Sequence, residues 1–257
     1  MSSTPLIISA WSAWIPGIHT PEDWQQWALG NKQTQSDERP SVAEIPPMLR
    51  RRLSSLGKMA LSATFPLYDN ADHKIPCVFS SRHGELERTV GLLQTLAKHE
   101  PLSPTHFSLS VHNAIGGVMS IARKDPSSIT ALSGDVGSTL LEASAIMAEQ
   151  SSDEILCIIY DEPVPEIYAE DDLGPAEPYA AAFLLSSSDS SKPPRNTSCS
   201  LTLSICDASP TAVSSDEPQT LAFLRYLLTP NRSELILSGD RHGWRWTKDE
   251  SDTNLAQ

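Results

Sequence analysis

With 257 residues, 32 of them acidic against 19 basic, and a formal charge of −13, the chain is excluded as a general nucleic-acid binder, because phosphate contacts need a concentrated Lys and Arg surface. Hydrophobic residues at 39%, many in periodic runs, exclude a disordered chain and suit one large α/β domain with a decorated C-terminal part. The short apolar opening has no basic flank and no run approaches the roughly 18 apolar residues of a membrane span, so a cytoplasmic chain without a span is expected.

Pro5 to Trp14, rich in Ile and Trp, predicts a strand that turns at Ile15-Pro16-Gly17. Thr20-Pro21-Glu22-Asp23 places an N-cap threonine before a first-position proline and two acids, which predicts a helix to Leu29 ended by Gly30. Asn31 to Pro40 is a polar loop. From Pro47 to about Leu67, apolar residues at helical spacing predict one amphipathic helix with Arg50, Arg51 and Arg52 on its wet face. A strand Ile75 to Ser80 and a helix Glu85 to His99 follow, the helix with Leu86, Val90, Leu93 and Leu96 or Ala97 as its inner stripe.

Next come a strand Ser128 to Leu132, a helix Val136 to Ala148 and a strand Glu154 to Tyr160. Continuous apolar strands alternating with helices predict a mainly parallel sheet covered on both faces. Beyond Glu162 lie an acidic loop (Pro163 to Pro178), a strand (Tyr179 to Leu185) and a Ser-rich low-complexity connection (Ser186 to Ser198). The remainder predicts a strand Ser198 to Cys206, a helix Glu217 to Leu228, a strand Ser233 to Ser238 and a frayed polar tail after Trp246.

Cys77, Cys157, Cys199 and Cys206 lack metal-type spacing, and two of them sit inside apolar runs, so they read as reduced core residues. The seven histidines are scattered, without an i, i+4 second ligand, and neither a metal nor a cofactor is expected. His83-Gly84 followed by Glu85 and Glu87 has the chemistry of a helix start. Trp11, Trp14, Trp24 and Trp27, and likewise Trp244 and Trp246 on an expected edge strand, suit core packing or a partner contact.

The most informative stretch runs from Ser103 to Ala145: Ser-Pro, then Ser110-Val111-His112-Asn113 opening a Gly-containing helix, then strand, glycine turn and helix. In that order, with Asn113 and Gly117 in place, it resembles the region of β-ketoacyl synthases that leads to their active-site cysteine. Val78 to Glu85 is similar to their strand and glycine loop, and Gly174 to Leu185 to the strand just past their midpoint. The resemblance spans roughly residues 5 to 190. It implies a thiolase-like fold, layered α/β/α, in which 1–190 match the N-terminal half and 191–257 form a reduced C-terminal part on the same body.

The departures bear on function. The nucleophile position falls on Leu132, Ser133 or Gly134, and none is the cysteine that a thioester acceptor requires. After His112 the one remaining histidine is His242, in a polar turn that matches neither family histidine. The chain therefore resembles the short chain-length factors of the aryl polyene type, which are non-catalytic. That implies a heterodimer with a catalytic β-ketoacyl synthase, reached only indirectly by an acyl carrier protein, and pairing across the interface by the strand that holds Ile129, Ala131 and Leu132. Phe107, His112 and Asn113 are the further tunnel or interface candidates, since a side chain that blocks the end of an apolar channel sets product length.

Three other readings remain. Ser133 at a strand-to-helix turn suits a serine acyltransferase or hydrolase, but the flanking glycine two residues before it is missing. Gly134 to Ser138 suits a phosphate loop but lacks its lysine and spacing. A purely structural ketosynthase-binding paralogue has the same sequence features. Arg50 to Arg52 with Lys58 read as a solvated helix face or as a contact for an acidic carrier protein.

Overall fold

The computed structural model describes residues 3–34, 38–171, 174–188, 190, 198–207, 217–238 and 242–249. Most of the Ser-rich connection and the tail from residue 250 lie outside these.

Among the described residues eight strands form one sheet. The first part of the chain runs β1 (Ser3–Trp14), α1 (Pro21–Ala28), α2 (Pro47–Arg50), α3 (Ser55–Thr64), β2 (Cys77–Ser80), α4 (Leu86–Ala97), α5 (Pro104–Ser108) and α6 (Ala114–Arg123). It continues with β3 (Ile129–Leu132), α7 (Val136–Gln150), β4 (Glu154–Asp161), β5 (Tyr179–Ser186), β6 (Cys199–Cys206), α8 (Gln219–Leu228), β7 (Glu234–Ser238) and β8 (Gly243–Lys248). The sheet order is β3-β2-β4-β5-β1-β6-β8-β7.

The expected mainly parallel sheet is corrected. Only β2 runs parallel to its neighbours, β3 and β4, and every other pairing is antiparallel. A parallel step needs a crossover helix, whereas β4 reaches β5 through a loop and a single 3-10 segment, Glu166–Asp171. The long strand β1 then bridges two regions. Its residues Ile7 to Trp14 pair with β5 and Ser3 to Ile8 with β6.

Period-two alternation puts both faces of the middle strands in a core. On β4, Ile155, Cys157 and Ile159 join the cluster beneath α1, α7 and α8, while Leu156, Ile158 and Tyr160 join the one beneath α3 and α6. All eight residues of β4 are buried, and so are the first seven of β5. Cys77, Cys157 and Cys199 are buried free thiols and Cys206 is half-buried; burial pushes the Cys77 thiol up to about 12, away from reactivity.

Three local expectations change. The single helix from Pro47 breaks after Arg50 and restarts at Ser55, because the Ser54 hydroxyl accepts the Gly57 amide and caps a new helix. The arginines therefore sit at a break. On α4 only Val90 is buried, while Leu93 and Leu96 are 53% and 55% exposed. The strand β8 is interior, between β6 and β7, and extends through Thr247 and Lys248, so Trp244 and Trp246 are buried core. The edge-to-face contacts Trp11 with Trp24 and Trp24 with Trp27 likewise assign those indoles to internal packing.

The buried Lys248 closes the C-terminal region: its Nζ donates to the carbonyls of Tyr226 (2.8 Å), Leu227 (3.3 Å) and Thr229 (2.8 Å), the open end of α8. Replacing Lys248 with Met keeps the apolar stem but leaves those carbonyls without their donor. Urea denaturation should show a loss of about 2 kcal/mol, and an unchanged midpoint would contradict this role.

Candidate functional site

The turn between β3 and α7 carries Leu132, Ser133 and Gly134 and opens a 15-residue helix, whose first amides and dipole attract negative charge. That position is taken by the chain itself. Asp135 caps α7, with Oδ1 accepting the Ser138 amide at 2.8 Å and the Asp135 amide donating back to Ser138 Oγ at 3.0 Å. The other carboxylate oxygen accepts Trp244 Nε1 at 2.8 Å. The indole lies flat over Gly137, where an added Cβ would stand 2.2 to 2.4 Å from its ring atoms, so this glycine is required by close approach.

Ser133 is exposed, and its Oγ donates to the Arg82 carbonyl at 2.8 Å. Among the described residues no histidine or carboxylate accepts its proton. Gly134 accepts Ser80 Oγ at 3.2 Å through its carbonyl, and a side chain there would meet Ser138 Oγ and Leu132 Cδ1. His112 lies beside the turn: Nε2 bonds the Leu132 carbonyl at 2.9 Å, and the ring packs against Gly84, whose φ of +57° and missing Cβ both make room for it.

The loop under this turn is organised by Asp161 at the end of β4. Its buried carboxylate accepts Ser81 Oγ (2.7 Å), the Arg82 amide (2.9 Å) and Tyr179 OH (3.3 Å), and burial raises its pKa above the ordinary carboxylate value. Glu162 follows, pushed up to about 7 by burial and by the nearby Glu85, Glu87 and Asp161. A cavity of about 10 Å³ lies among His83, Gly84, Glu87, Asp161, Glu162 and Pro163. An open groove of about 420 Å³ runs between α4 and Pro165 to Ile167, where the 3-10 segment begins.

At the opposite end of the sheet, His73 bridges Asp69 (3.3 Å) and Glu154 (2.8 Å). Asp69 and His73 are thus an i, i+4 pair, which corrects the expectation that none exists. Among the described residues no group of His, Cys, Asp and Glu could hold a metal ion, and no helix is long and apolar enough to cross a membrane.

The other candidates distribute as follows. His112 and Leu132 meet directly. Ile129 packs over Gly116, where a Cβ would be 2.8 Å from it; this close approach belongs to Gly116, and Gly117 has nothing within 4 Å. Asn113 starts α6 without a side-chain cap bond. Ile129, Ala131 and Leu132 are half-buried on β3, an edge strand of the sheet. Phe107 stands apart, 61% exposed. Neither cavity described above is lined by these residues. Sequence reasoning missed Asp135 as the cap, although Asp-x-x-Ser ahead of an apolar run is a legible capping signature. It also missed Trp244 as its partner, for which no local signal exists across 109 residues.

The sequence model described as "Beta-ketoacyl synthase, N-terminal domain" matches residues 24–247. The chain belongs to this family. Among solved structures it is similar to a chain of the ketosynthase ApeO in complex with its chain length factor ApeC from Xenorhabdus doucetiae, at 28% identity and a TM-score of 0.79, over 95% of this chain and 99% of that one. Two more share the thiolase-like ketosynthase fold at lower identity. The ishigamide ketosynthase/chain length factor is 18% identical with a TM-score of 0.56, over 74% of this chain and 64% of that one. The AntDE:AntF complex of a type II PKS acyl-carrier protein with its ketosynthase is 12% identical with a TM-score of 0.58, over 96% and 99%. A search of curated proteins finds no match.

Two outcomes follow for this family member. Gly137→Ala drives a methyl into the Trp244 ring and should cost about 2 kcal/mol, with partial recovery when Trp244 is also replaced by Leu. Glu162 has a folded pKa of about 7 against an ordinary 4.5, so folding favours its protonated form, and stability is lost as pH rises between those values. Glu162→Gln should flatten the pH dependence of the melting temperature in that interval; an unchanged slope would assign the dependence to other groups.

Proposed function

We propose that this chain is a chain-length-factor subunit that lacks a condensing nucleophile, pairs with a catalytic β-ketoacyl synthase and shapes its acyl tunnel. One observation carries the reading. Residues 96–108 are exposed without interruption although they include α5 and the apolar Leu96, Leu102 and Phe107, the last 61% exposed. Leu93 and Val111, at 53% and 44%, extend this surface. An ordered apolar arm of this kind is what a subunit interface, typically about 800 Å² per partner, removes from water. The edge position of β3 adds a strand that can pair with a second sheet.

The site chemistry supports a non-catalytic role. A cysteine nucleophile at a helix start relies on the dipole to hold its thiolate. Here Asp135 already occupies that field, and the hydroxyl of Ser133 is committed to a backbone carbonyl. The similarity over 99% of a chain in a ketosynthase and chain-length-factor complex agrees with a partner subunit. In such a pair His112, clamped between Gly84 and the Leu132 carbonyl, offers a fixed wall, and Phe107 offers an apolar surface to the partner or its acyl chain. Ile129, Ala131 and Leu132 supply the pairing strand, and Asn113 borders it. Residues 1–190 would bear the interface, with 191–257 as a reduced C-terminal part, working in the cytoplasm on an aryl polyene or related chain.

Co-expression with a cysteine-containing ketosynthase, followed by size-exclusion chromatography with light scattering, should give a 1:1 complex that Leu93→Glu with Phe107→Glu abolishes. A monomer that never co-elutes would overturn the pairing. A fluorophosphonate should leave Ser133 unlabelled; labelling would favour an independent serine activity instead.

A further inference from the structure

Glu162 differs from the other acids at the end of β4. Asp161 accepts three donors, one of them Tyr179 of β5, and Glu85 holds Ser54 and Arg88. The Glu162 carboxylate makes no hydrogen bond or ion pair among the described residues, although the residue is half-buried. The cavity beside it, about 10 Å³, has room for about one water molecule, too little to hydrate an ionised carboxylate. Burial, then Glu85 and Glu87 at the start of α4 and Asp161 on β4, push Glu162 up to about 7. His83 lines the same cavity and acts on Asp161, while Glu166 shares the neighbouring groove with Glu87. The nearest cations do not offset this: Arg88 donates to Glu85 and to the Arg52 carbonyl, and Arg82 is exposed.

The segment from Glu162 to Ile167 is lightly anchored. Pro163 and Pro165 have no amide to donate, so packing carries much of its attachment. Pro163, Val164 and Pro165 border the cavity together with Leu86, and Val164 lies close over Gly174, where an added Cβ would stand 2.9 Å from Val164 Cγ1. Beyond them the open groove separates Pro165 to Ile167 from Val90 and Gln94.

We propose that Glu162 to Ile167 form a pH-gated strap, closed over the start of α4 while Glu162 is protonated and lifted when Glu162 ionises beside Glu85, Glu87 and Asp161. The inference stands apart from pairing with a ketosynthase and does not require it. The closed strap binds the proton more tightly than the open one, in which a hydrated glutamate returns to its ordinary 4.5. Closure therefore weakens as pH rises from 4.5 towards 7 and changes no further above that. Lifting adds Leu86 and Val90 to the apolar face that Leu93 and Leu96 already expose on α4, so pH sets how much of that face is presented.

The test places a thiol under the strap with Leu86→Cys and measures its alkylation by iodoacetamide on the full chain, followed peptide by peptide with mass spectrometry. Each rate is divided by the rate in the same variant carrying Glu162→Gln, which cancels the ordinary pH dependence of the thiolate. The ratio should rise about tenfold between about pH 6 and about pH 8, while the buried Cys157 on β4 stays unlabelled and so reports that the body remains folded. Glu162→Leu should behave as Glu162→Gln does, and circular dichroism melts establish that each variant folds. A ratio that does not change with pH overturns the proposal, and so does labelling of Cys157 that rises in step with Cys alkylation at position 86, because the opening would then be global.

Discussion

The carboxylate of Asp135 is the interaction on which the arrangement around the β3–α7 turn depends. It satisfies the first turn of α7 and accepts the indole of Trp244 from a strand 109 residues later. Because the indole also lies over Gly137, the last described strand is pressed against the start of the helix that follows β3. One acidic side chain therefore caps the helix at the turn and adds a side-chain link to the C-terminal strands, which the β1–β6 ladder already joins to the body. It does so where a condensing enzyme would keep the field open for a reactive sulfur.

A second tension runs through the body's surface. In the sheet interior β4 is buried along its whole length and β5 along nearly all of it, whereas some apolar residues of the surrounding helices stay in solvent. The amphipathic helix α4 shows the result. Its stripe is correctly patterned for a core, yet the described chain covers Val90 and leaves Leu93 and Leu96 to solvent. Apolar area left in water at an ordered helix and an adjoining arm is unfavourable for an isolated subunit, and it is the physical content of the pairing proposed above.

Charge is segregated in a comparable way. Acids gather under the loop at the end of β4, where burial raises Asp161 and Glu162, and the nearby Glu85, Glu87 and Asp161 raise Glu162 further. Arg50, Arg51 and Arg52, without an ion pair to a carboxylate among the described residues, lie at the break between α2 and α3. The end of β4 and the break meet near Glu85, which holds Arg88 and Ser54 on one side and raises Glu162 on the other.

The order of strands and helices, the capped start at Thr20, the buried thiols and the absence of a cysteine at the turn after β3 were all determined by the amino-acid sequence, because each is a matter of local periodicity, local chemistry or identity at one position. The resemblance to β-ketoacyl synthases rested on such local order too, and the family match bears it out. Tertiary structure alone decided which apolar side chains are covered: Leu93 and Leu96 on α4 stay exposed, whereas β8 lies between β6 and β7 and its Trp244 and Trp246 are buried. It decided strand direction, which follows from whether a connection has room for a crossover helix. It decided the long-range partners of Asp135, His112 and Asp161, because those contacts join residues 18 to 109 positions apart and leave no trace in local spacing.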